Sequence, residues 1–233
     1  MRVAIYQMED RGDPHENIKW AYEAVVKADA DFFVLPEFFA MPGGDFKKDW
    51  SVEDAYREAG KPAIRMLRRA SVHFPGYLIG GSVIEKDISH FYNTCFVFRK
   101  GQLVAKYRKR HPTPEERALG IKGGDEIVTF NTEFGTAGIL ICADVIYERT
   151  RSEVAARSDI VFLPISLTDP THPKVEGHPL SEKIAREFGV VVVKVSRVGT
   201  FKGKKVVSKS AVITPQGLMY EAKECEELAV INL

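Results

Sequence analysis

The amino-acid sequence predicts an α/β fold in which two sheets are covered by outer helices. The chain opens with a strand, a helix and a strand, which is the unit of a helix-covered sheet. Its middle part is typical of consecutive antiparallel strands, with Lys100-Gly101 as a tight turn. The second half repeats the coarse strand–helix–strand pattern followed by paired strands. Because the 233 residues contain no linker rich in Gly and Ser, we expect one domain over residues 1–233.

The first half supplies clear local signals for each element. Asp13-Pro14 is a good helix start, since Asp caps the helix and Pro suits its first position. Apolar residues then recur at helical spacing at Ile18, Tyr22, Val25 and Val26. We expect strands at Arg2–Gln7, Asp31–Leu35, Tyr77–Glu85, Tyr92–Arg99 and Leu103–Tyr107, and a helix at Ser51–Phe74 that is interrupted near Gly60.

The second half alternates short apolar runs with helical and polar segments. We expect helices at Glu148–Arg157 and Ser181–Phe188, and strands at Glu126–Phe130, Thr136–Ile141, Asp159–Leu163, Val190–Ser196, Ser208–Thr214, Leu218–Tyr220 and Leu228–Leu233. Three long loops are predicted, at Phe38–Trp50, Arg108–Gly124 and Ser166–Pro179. Long loops in compact domains are often functional.

Composition excludes several classes of function. The 33 basic and 32 acidic residues nearly balance, which argues against a nucleic-acid partner. No apolar run approaches the ~20 residues that span a bilayer, so no membrane partner is expected. The three cysteines are sparse and unpaired in spacing, which indicates reduced thiols in a cytoplasmic protein. No signal peptide is expected, because Arg2–Gln7 already has the pattern of a first strand.

Cys142 occupies a position that suits a nucleophile. It ends the apolar run Thr136–Ile141 and is followed by small Ala143 and turn-forming Asp144. A residue at the carboxyl end of a buried strand is held rigidly and faces the crevice where α/β sheets bind ligands. A lone Cys in an apolar strand is more often a small buried hydrophobe, so Cys142 alone is a weak signal.

Two more polar residues follow the ends of predicted strands. Glu37 follows the strand that ends at Leu35-Pro36, and Lys109 follows the strand that ends near Tyr107. If these strands lie side by side, both residues meet Cys142 at one sheet edge. A thiol with a pKa near ~8.5 needs a base, which Glu37 supplies. Lys109 would hold the negative oxygen that forms when a carbonyl or nitrile carbon is attacked.

Plainer interpretations exist for each residue. Glu37 could be a solvated carboxylate at a strand end, and Lys109 could belong to a merely basic loop. Lys106 competes with Lys109, which we prefer because Arg108 precedes it and His111 follows it. We expect His111 to support the loop and Asp144 to shape the turn. His172 and His178 lack partners at metal-ligand spacing, so no metal is predicted.

Several short motifs together resemble one family. They are Pro36-Glu37 with Gly43 following, Tyr107-Arg-Lys109-x-His111, Glu116-Arg117, Ile141-Cys142-x-Asp144 and the closing segments Lys194–Gly199 and Lys209–Gly217. Their order and approximate spacing resemble the nitrilase superfamily, the carbon–nitrogen hydrolases. The resemblance covers nearly the whole chain. A rival glutamine amidotransferase-like site ranks low, because the Gly-x-Cys-x-Gly elbow is absent around Cys142.

The resemblance implies a fold, a chemistry and an assembly. The fold is a four-layer α-β-β-α sandwich with two central mixed β-sheets, assembled as homodimers or larger homo-oligomers through its outer helices, with no metal or organic cofactor. Glu37 would be the general base, Lys109 the stabiliser of the tetrahedral intermediate and Cys142 the nucleophile. Glu116 would help to position the lysine and the substrate, and the Ala143 backbone N–H would share the oxyanion.

The expected activity is amidase-type hydrolysis of a small carboxamide through a thioester. A nitrile or an N-carbamoyl compound is the near alternative, and a non-catalytic α/β binding protein is the rival from another class. Three departures from the family pattern fall on the substrate and oligomer surfaces. Ala143 replaces an aromatic residue, 145–149 lacks a Pro and is one residue short, and Ser166–Pro179 lacks a Trp. Gly43, Gly44 and this loop are expected to shape the pocket mouth.

Overall fold

The computed structural model describes residues 1–43, 50–168, 178–201 and 203–233. Helical segments within these ranges are α1 (Pro14–Lys27), α2 (Val52–Ala55), a π-helical turn (Tyr56–Gly60), α3 (Lys61–His73), α4 (Pro114–Ala118), a 3-10 turn (Cys142–Ile146), α5 (Glu148–Ala155) and α6 (Pro179–Phe188). Among the described residues, the helices are too short or too polar to cross a membrane. Gly44, His172 and most of the predicted Ser166–Pro179 loop lie outside the described residues.

The strands of the first sheet come mostly from the first half of the chain. They are β1 (Arg2–Glu9), β2 (Phe32–Val34), β3 (Tyr77–Ile79), β4 (Val83–Asp87), β5 (His90–Arg99), β6 (Gln102–Arg108), β7 (Ile121–Lys122), β12 (Arg197–Val198) and β17 (Glu227–Asn232). The order is β12-β1-β2-β3-β5-β4, with β17 also on β1 and both β6 and β7 on β5. β1, β2 and β3 are parallel, whereas β4 and β6 run antiparallel to β5.

The second sheet is built from the second half of the chain. Its strands are β8 (Thr129–Thr132), β9 (Gly135–Ile139), β10 (Ile160–Pro164), β11 (Val191–Val195), β15 (Ala211–Thr214) and β16 (Gly217–Glu221). They lie in the order β16-β15-β11-β10-β9-β8, in which β9, β10 and β11 are parallel. A separate hairpin pairs β13 (Thr200–Phe201) with β14 (Lys204–Lys205).

The two mixed sheets pack face to face between two layers of helices. One buried core joins Ile5 and Val34 of the first sheet to Ile139 and Phe162 of the second. A second core packs α1 and α3 against the outer face of the first sheet. Helices α5 and α6 cover the outer face of the second. The four-layer α-β-β-α architecture is therefore confirmed.

The local signals of the first half act as expected. The Asp13 carboxylate accepts hydrogen bonds from the His15 and Glu16 backbone N–H groups, which caps α1. The break near Gly60 is a π-helical turn between α2 and α3. A Cβ at Gly60 would lie 2.1 Å from the Ile84 carbonyl oxygen, so only glycine lets the helix approach the sheet this closely.

Two predicted elements differ from the structure. The single strand Tyr77–Glu85 is divided into β3 and β4 by a turn in which Gly81 has φ +57°. A Cβ at Gly81 would lie 2.1 Å from the Pro36 carbonyl oxygen, so this glycine brings the turn against the residue before Glu37. The predicted loop Arg108–Gly124 contains α4 and β7. A Thr113–Glu116 capping box starts α4, and the Glu116 side chain is buried there.

Candidate active site

Glu37 is held by a strained turn at the end of the strand β2. Phe38, the next residue, has φ +52°, a left-handed conformation that non-glycine residues rarely adopt. Its N–H donates to Ser82 Oγ at 3.2 Å. From the other side, Arg197 Nη1 donates to the carbonyl oxygens of Phe38 at 2.8 Å and Met41 at 2.6 Å. These contacts fix the backbone of the turn that follows Glu37.

Lys109 lies directly after β6 and points into the interior. Its backbone N–H donates to the Asn93 carbonyl at 2.8 Å. Its Nζ donates to Glu37 Oε1 at 2.9 Å and to Glu116 Oε2 at 2.7 Å, and the residue is 1% exposed. Lys106 instead pairs with Glu85 at 2.8 Å in a half-exposed position. The structure therefore separates the two lysines in the way that the sequence favoured.

Glu116 is presented by the first turn of α4. Its Oε2 accepts the Thr113 N–H at 2.7 Å, which completes the helix cap. Its Oε1 accepts Asn93 Nδ2 at 2.7 Å, and the same Nδ2 donates to Glu37 Oε1 at 3.0 Å. Asn93 lies inside β5 with no exposed surface. Sequence reasoning did not single out Asn93, although a buried amide in an otherwise apolar stretch of strand is a signal.

Cys142 begins the 3-10 turn that follows β9 and has φ +45°. The Asp144 carboxylate holds this turn by accepting the Ile141 N–H at 3.2 Å and the Tyr107 hydroxyl at 2.7 Å. It also accepts the His111 N–H at 2.9 Å. Asp144 thus joins the Cys142 turn to the loop that carries Lys109, which agrees with a structural role for this carboxylate.

One cavity of about 460 Å³ is lined by Glu37, Lys109, Glu116, Cys142 and Ala143. The structure therefore brings all five predicted site residues to a single place. Its wall also contains the aromatic rings of Phe38, Tyr147, His111 and Phe201 and the charged side chains of Arg117 and Lys204. This volume falls in the range of small-molecule sites.

Tyr147 supplies an aromatic side chain to the cavity wall a few residues after Cys142. Ala143 leaves its part of the wall small, while Tyr147 lines the cavity and stacks on His111 with ring centroids 3.6 Å apart. His111 Nε2 also lies 2.8 Å from Thr150 Oγ1 at the start of α5. The shortened segment after Cys142 is therefore packed against the Lys109 loop.

Burial and neighbouring charges set the protonation of the thiol and its base. Burial and the nearby Glu37 carboxylate raise the pKa of the Cys142 thiol well above its ordinary value, against the influence of Lys109. Burial also raises the pKa of Glu37, which the Lys109 ammonium opposes and the Glu116 carboxylate reinforces. The resting thiol is therefore protonated, and it needs a base at hand in order to react.

The two partners of Glu37 are both charged. Burial acts to lower the pKa of Lys109, but the Glu37 and Glu116 carboxylates beside it raise that pKa well above its ordinary value. Burial acts to raise the pKa of Glu116, but Lys109 and hydrogen bonds from Thr113 and Asn93 hold it below its ordinary value. The cavity thus contains a permanent ammonium between two carboxyl groups.

Within the described ranges, no group of three or more His, Cys, Asp or Glu side chains is arranged to hold a metal ion. His178 Nε2 lies 2.7 Å from Glu221 Oε2, and its Nδ1 lies 3.3 Å from Lys194 Nζ. His178 directly precedes the first turn of α6.

The layered fold with this cavity at its sheet edge is that of the nitrilase superfamily. An amidase from Nesterenkonia sp. superimposes with a TM-score of 0.86 at 23% identity, covering 100% of this chain and 90% of that one. The carbon–nitrogen hydrolase family model matches residues 2–231. The chain belongs to the carbon–nitrogen hydrolase family, and the predicted resemblance is confirmed.

The sequence of the chain is similar to those of two further proteins. The omega-amidase NIT2 of Homo sapiens is 27% identical over 248 residues, covering 99% of this chain and 87% of that protein. A hydrolase of Schizosaccharomyces pombe is 29% identical over 169 residues, covering 67% of this chain. The match covers 52% of that hydrolase, so the chain spans about half of its length.

Proposed function

We propose that this carbon–nitrogen hydrolase is an amidase that cleaves a small carboxamide through a thioester on Cys142. The observation that carries the proposal is the shared cavity. Lys109 donates a hydrogen bond to Glu37, and both side chains line the same cavity as the Cys142 thiol. An omega-amidase among the relatives supports an amide substrate. Glu37 acts as general base and acid, and Lys109 stabilises the negative intermediate.

The first half of the reaction forms the thioester. Cys142 Sγ attacks the amide carbonyl carbon while Glu37 takes the thiol proton, which gives a tetrahedral intermediate. Lys109 Nζ and the Ala143 N–H hold its negative oxygen, and a donor placed in this way typically contributes ~3–4 kcal/mol to lowering the barrier. Glu37 then gives its proton to the departing nitrogen. The carbon–nitrogen bond breaks, ammonia leaves and the acyl group stays on sulfur.

The second half returns the enzyme to its resting state. A water molecule enters the place that ammonia left, and Glu37 takes one of its protons as the oxygen attacks the thioester carbon. The new intermediate collapses with loss of the Cys142 thiolate, which recovers its proton from Glu37. One amide and one water thereby become one carboxylic acid and one ammonia, with no net proton change on the site.

Glu116 keeps the ammonium in place during these steps. Its Oε2 lies 2.7 Å from Lys109 Nζ, and its own position is fixed by the α4 cap. The two bonds from Lys109 to carboxylates orient its third N–H donor towards the cavity. Glu116 therefore positions Lys109, and it also lines the cavity that receives the substrate.

The remaining expectations about the whole protein stay predictions. The resemblance to the nitrilase superfamily supports a homodimer or a larger homo-oligomer assembled through the outer helices. The sparse thiols support a cytoplasmic location, and the absence of a Gly- and Ser-rich linker supports a single domain. Light scattering on the purified protein would test the assembly.

Ammonia release from a panel of simple amides, nitriles and N-carbamoyl compounds tests the proposed activity. Acetamide and propionamide should release ammonia with the wild type and release none with Cys142→Ala. Turnover of nitriles alone would favour the nitrilase alternative. Absence of turnover across the whole panel would favour a binding protein on the same scaffold.

A further inference from the structure

Asn93 and Lys109 bridge the same two carboxyl groups from opposite directions. Lys109 Nζ contacts Glu37 Oε1 at 2.9 Å and Glu116 Oε2 at 2.7 Å. Asn93 Nδ2 contacts Glu37 Oε1 at 3.0 Å and Glu116 Oε1 at 2.7 Å. The four side chains form a closed ring of hydrogen bonds. Both N–H bonds of the Asn93 amide are used, one on each carboxylate.

Both donors reach the same oxygen of Glu37. An oxygen that already accepts two hydrogen bonds is a poorer proton acceptor than its partner on the same carboxylate. We propose that Asn93 is a positioning residue that occupies Glu37 Oε1 together with Lys109, which makes Oε2 the oxygen that takes the Cys142 proton and keeps Glu37 ionised. This inference rests on the proposed function, in which Glu37 is the base.

The environment of Asn93 supports a role in the site rather than in the fold. Its side chain is fully buried, yet its Oδ1 receives no hydrogen bond from any described residue. A buried amide that served packing alone would satisfy both of its ends. The structural bond is made by the backbone, where the Asn93 carbonyl accepts the Lys109 N–H. Replacing the side chain therefore leaves that backbone contact in place.

Four charged or titratable groups act on Glu37 from the surrounding elements. Lys109 after β6 and Arg197 in β12 are cations that favour its ionised form. Glu116 in α4 disfavours it, and the Cys142 thiol faces it as a hydrogen-bond donor. Without the two neutral donors of Asn93, two buried carboxylates share one close ammonium. Glu37 then binds a proton more readily. As the pH falls, it therefore stops acting as a base at a higher pH than in the wild type.

The test measures alkylation of Cys142 by iodoacetamide across pH 4.5–8, resolved by peptide mass spectrometry. The variants are Asn93→Ala, which removes both donors, and the isosteric Asn93→Asp, which replaces them with an acceptor. Thr94→Val is the matched control, because Thr94 is the next residue of β5, equally buried, and donates to Glu85 at 2.8 Å instead. This readout needs no knowledge of the natural substrate.

We expect alkylation of Cys142 on the acid limb to fall by up to about tenfold in the Asn93 variants. The acid limb should move to higher pH by about one unit, whereas Thr94→Val should keep the wild-type profile. An unchanged profile in the Asn93 variants would overturn the inference. Failure of both variants to fold, with Thr94→Val folded, would also overturn it by assigning Asn93 to the fold. A slow, pH-insensitive Cys142 in the wild type would instead contradict the proposed function.

Discussion

Lys109 Nζ lies 2.9 Å from Glu37 Oε1, and both residues are almost fully buried although 72 positions separate them in the chain. Such a pair survives burial only when its hydrogen bonds are good, since desolvation of two charges is costly. Here Lys109 also donates a hydrogen bond to Glu116, and Glu37 also accepts one from Asn93. In the proposed mechanism, this buried ammonium stabilises the negative oxygen that forms on attack by Cys142, which lines the same cavity.

Replacing Lys109 with Met should abolish turnover. Loss of one preorganised donor typically costs 10²–10³ in kcat, and Glu37 and Glu116 lose the cation between them. The variant should also unfold at a lower temperature, because removing one partner of a buried ion pair costs ~3–5 kcal/mol.

Lys106→Met is the matched control for this change. Its ion pair with Glu85 is half-exposed and should contribute no more than ~1 kcal/mol. Activity should therefore stay at the wild-type level. If ammonia release is lost in Lys106→Met and kept in Lys109→Met, the assignment of the stabilising lysine is wrong.

Cys142→Ala should keep the fold and lose all turnover. The side chain is small, and its turn is held by Asp144 rather than by the sulfur. Cys95→Ala is a control of the opposite kind, because Cys95 lies fully buried in the core between the sheets. It should lower stability by about 1 kcal/mol, from the transfer and cavity contributions of one sulfur, and keep activity. Circular dichroism and ammonia release would separate the two outcomes, and hydrolysis by Cys142→Ala would reject the mechanism.

The pH profile of kcat/KM should have an acid limb above pH 4.5. The proposed base must be ionised, and burial raises the pKa of Glu37 above its ordinary 4.5. Activity is therefore lost as pH falls through that raised value. On the alkaline side the profile should stay flat to about pH 10, because Lys109 remains an ammonium above its ordinary pKa of 10.5. An acid limb at or below pH 4, with a wild-type-like fold there, would contradict the role of Glu37.

Arg197→Met should lower kcat more than it changes KM. The Arg197 guanidinium is 1% exposed and holds the carbonyls of Phe38 and Met41 in the turn after Glu37. Its loss should misplace the carboxylate and slow the reaction about tenfold or more, since small displacements of catalytic groups are costly. Arg99→Met, which loses a surface pair with Glu133, is the control and should keep kcat. Equal effects of the two substitutions on kcat would show that Arg197 does not position Glu37.

Much of this architecture could be predicted because strand ends carry local signals. Glu37, Lys109 and Cys142 each follow a strand, as expected, but the single shared sheet edge was wrong, because β2 and β6 belong to the first sheet and β9 to the second. The face-to-face packing of the two sheets brings the three positions to one cavity. Helix α4 was missed although Thr113-Pro114-x-Glu116 is a helix-start signature. The division of the Tyr77–Glu85 strand was signalled by Gly80-Gly81, whose close approach to Pro36 depends on a segment more than 40 residues away.

Long-range contacts account for what the sequence did not predict. Asn93 lies in a strand, and its side chain contacts two glutamates that lie on other elements. The contact from Arg197 to Phe38 joins residues 159 positions apart. No local periodicity encodes such pairings, since they arise only when the sheet brings β12 beside β1.

The relative alkylation rates of the three thiols by iodoacetamide test the central claim most directly. Exposure alone would make Cys225 the fastest and leave Cys95 and Cys142 slow, because only Cys225 of these three is exposed. Activation by Glu37 and Lys109 instead predicts that Cys142 is alkylated fastest. Its rate should fall about tenfold or more in Glu37→Gln and in Lys109→Met. Rates that simply follow exposure, and that do not respond to either substitution, would contradict the account.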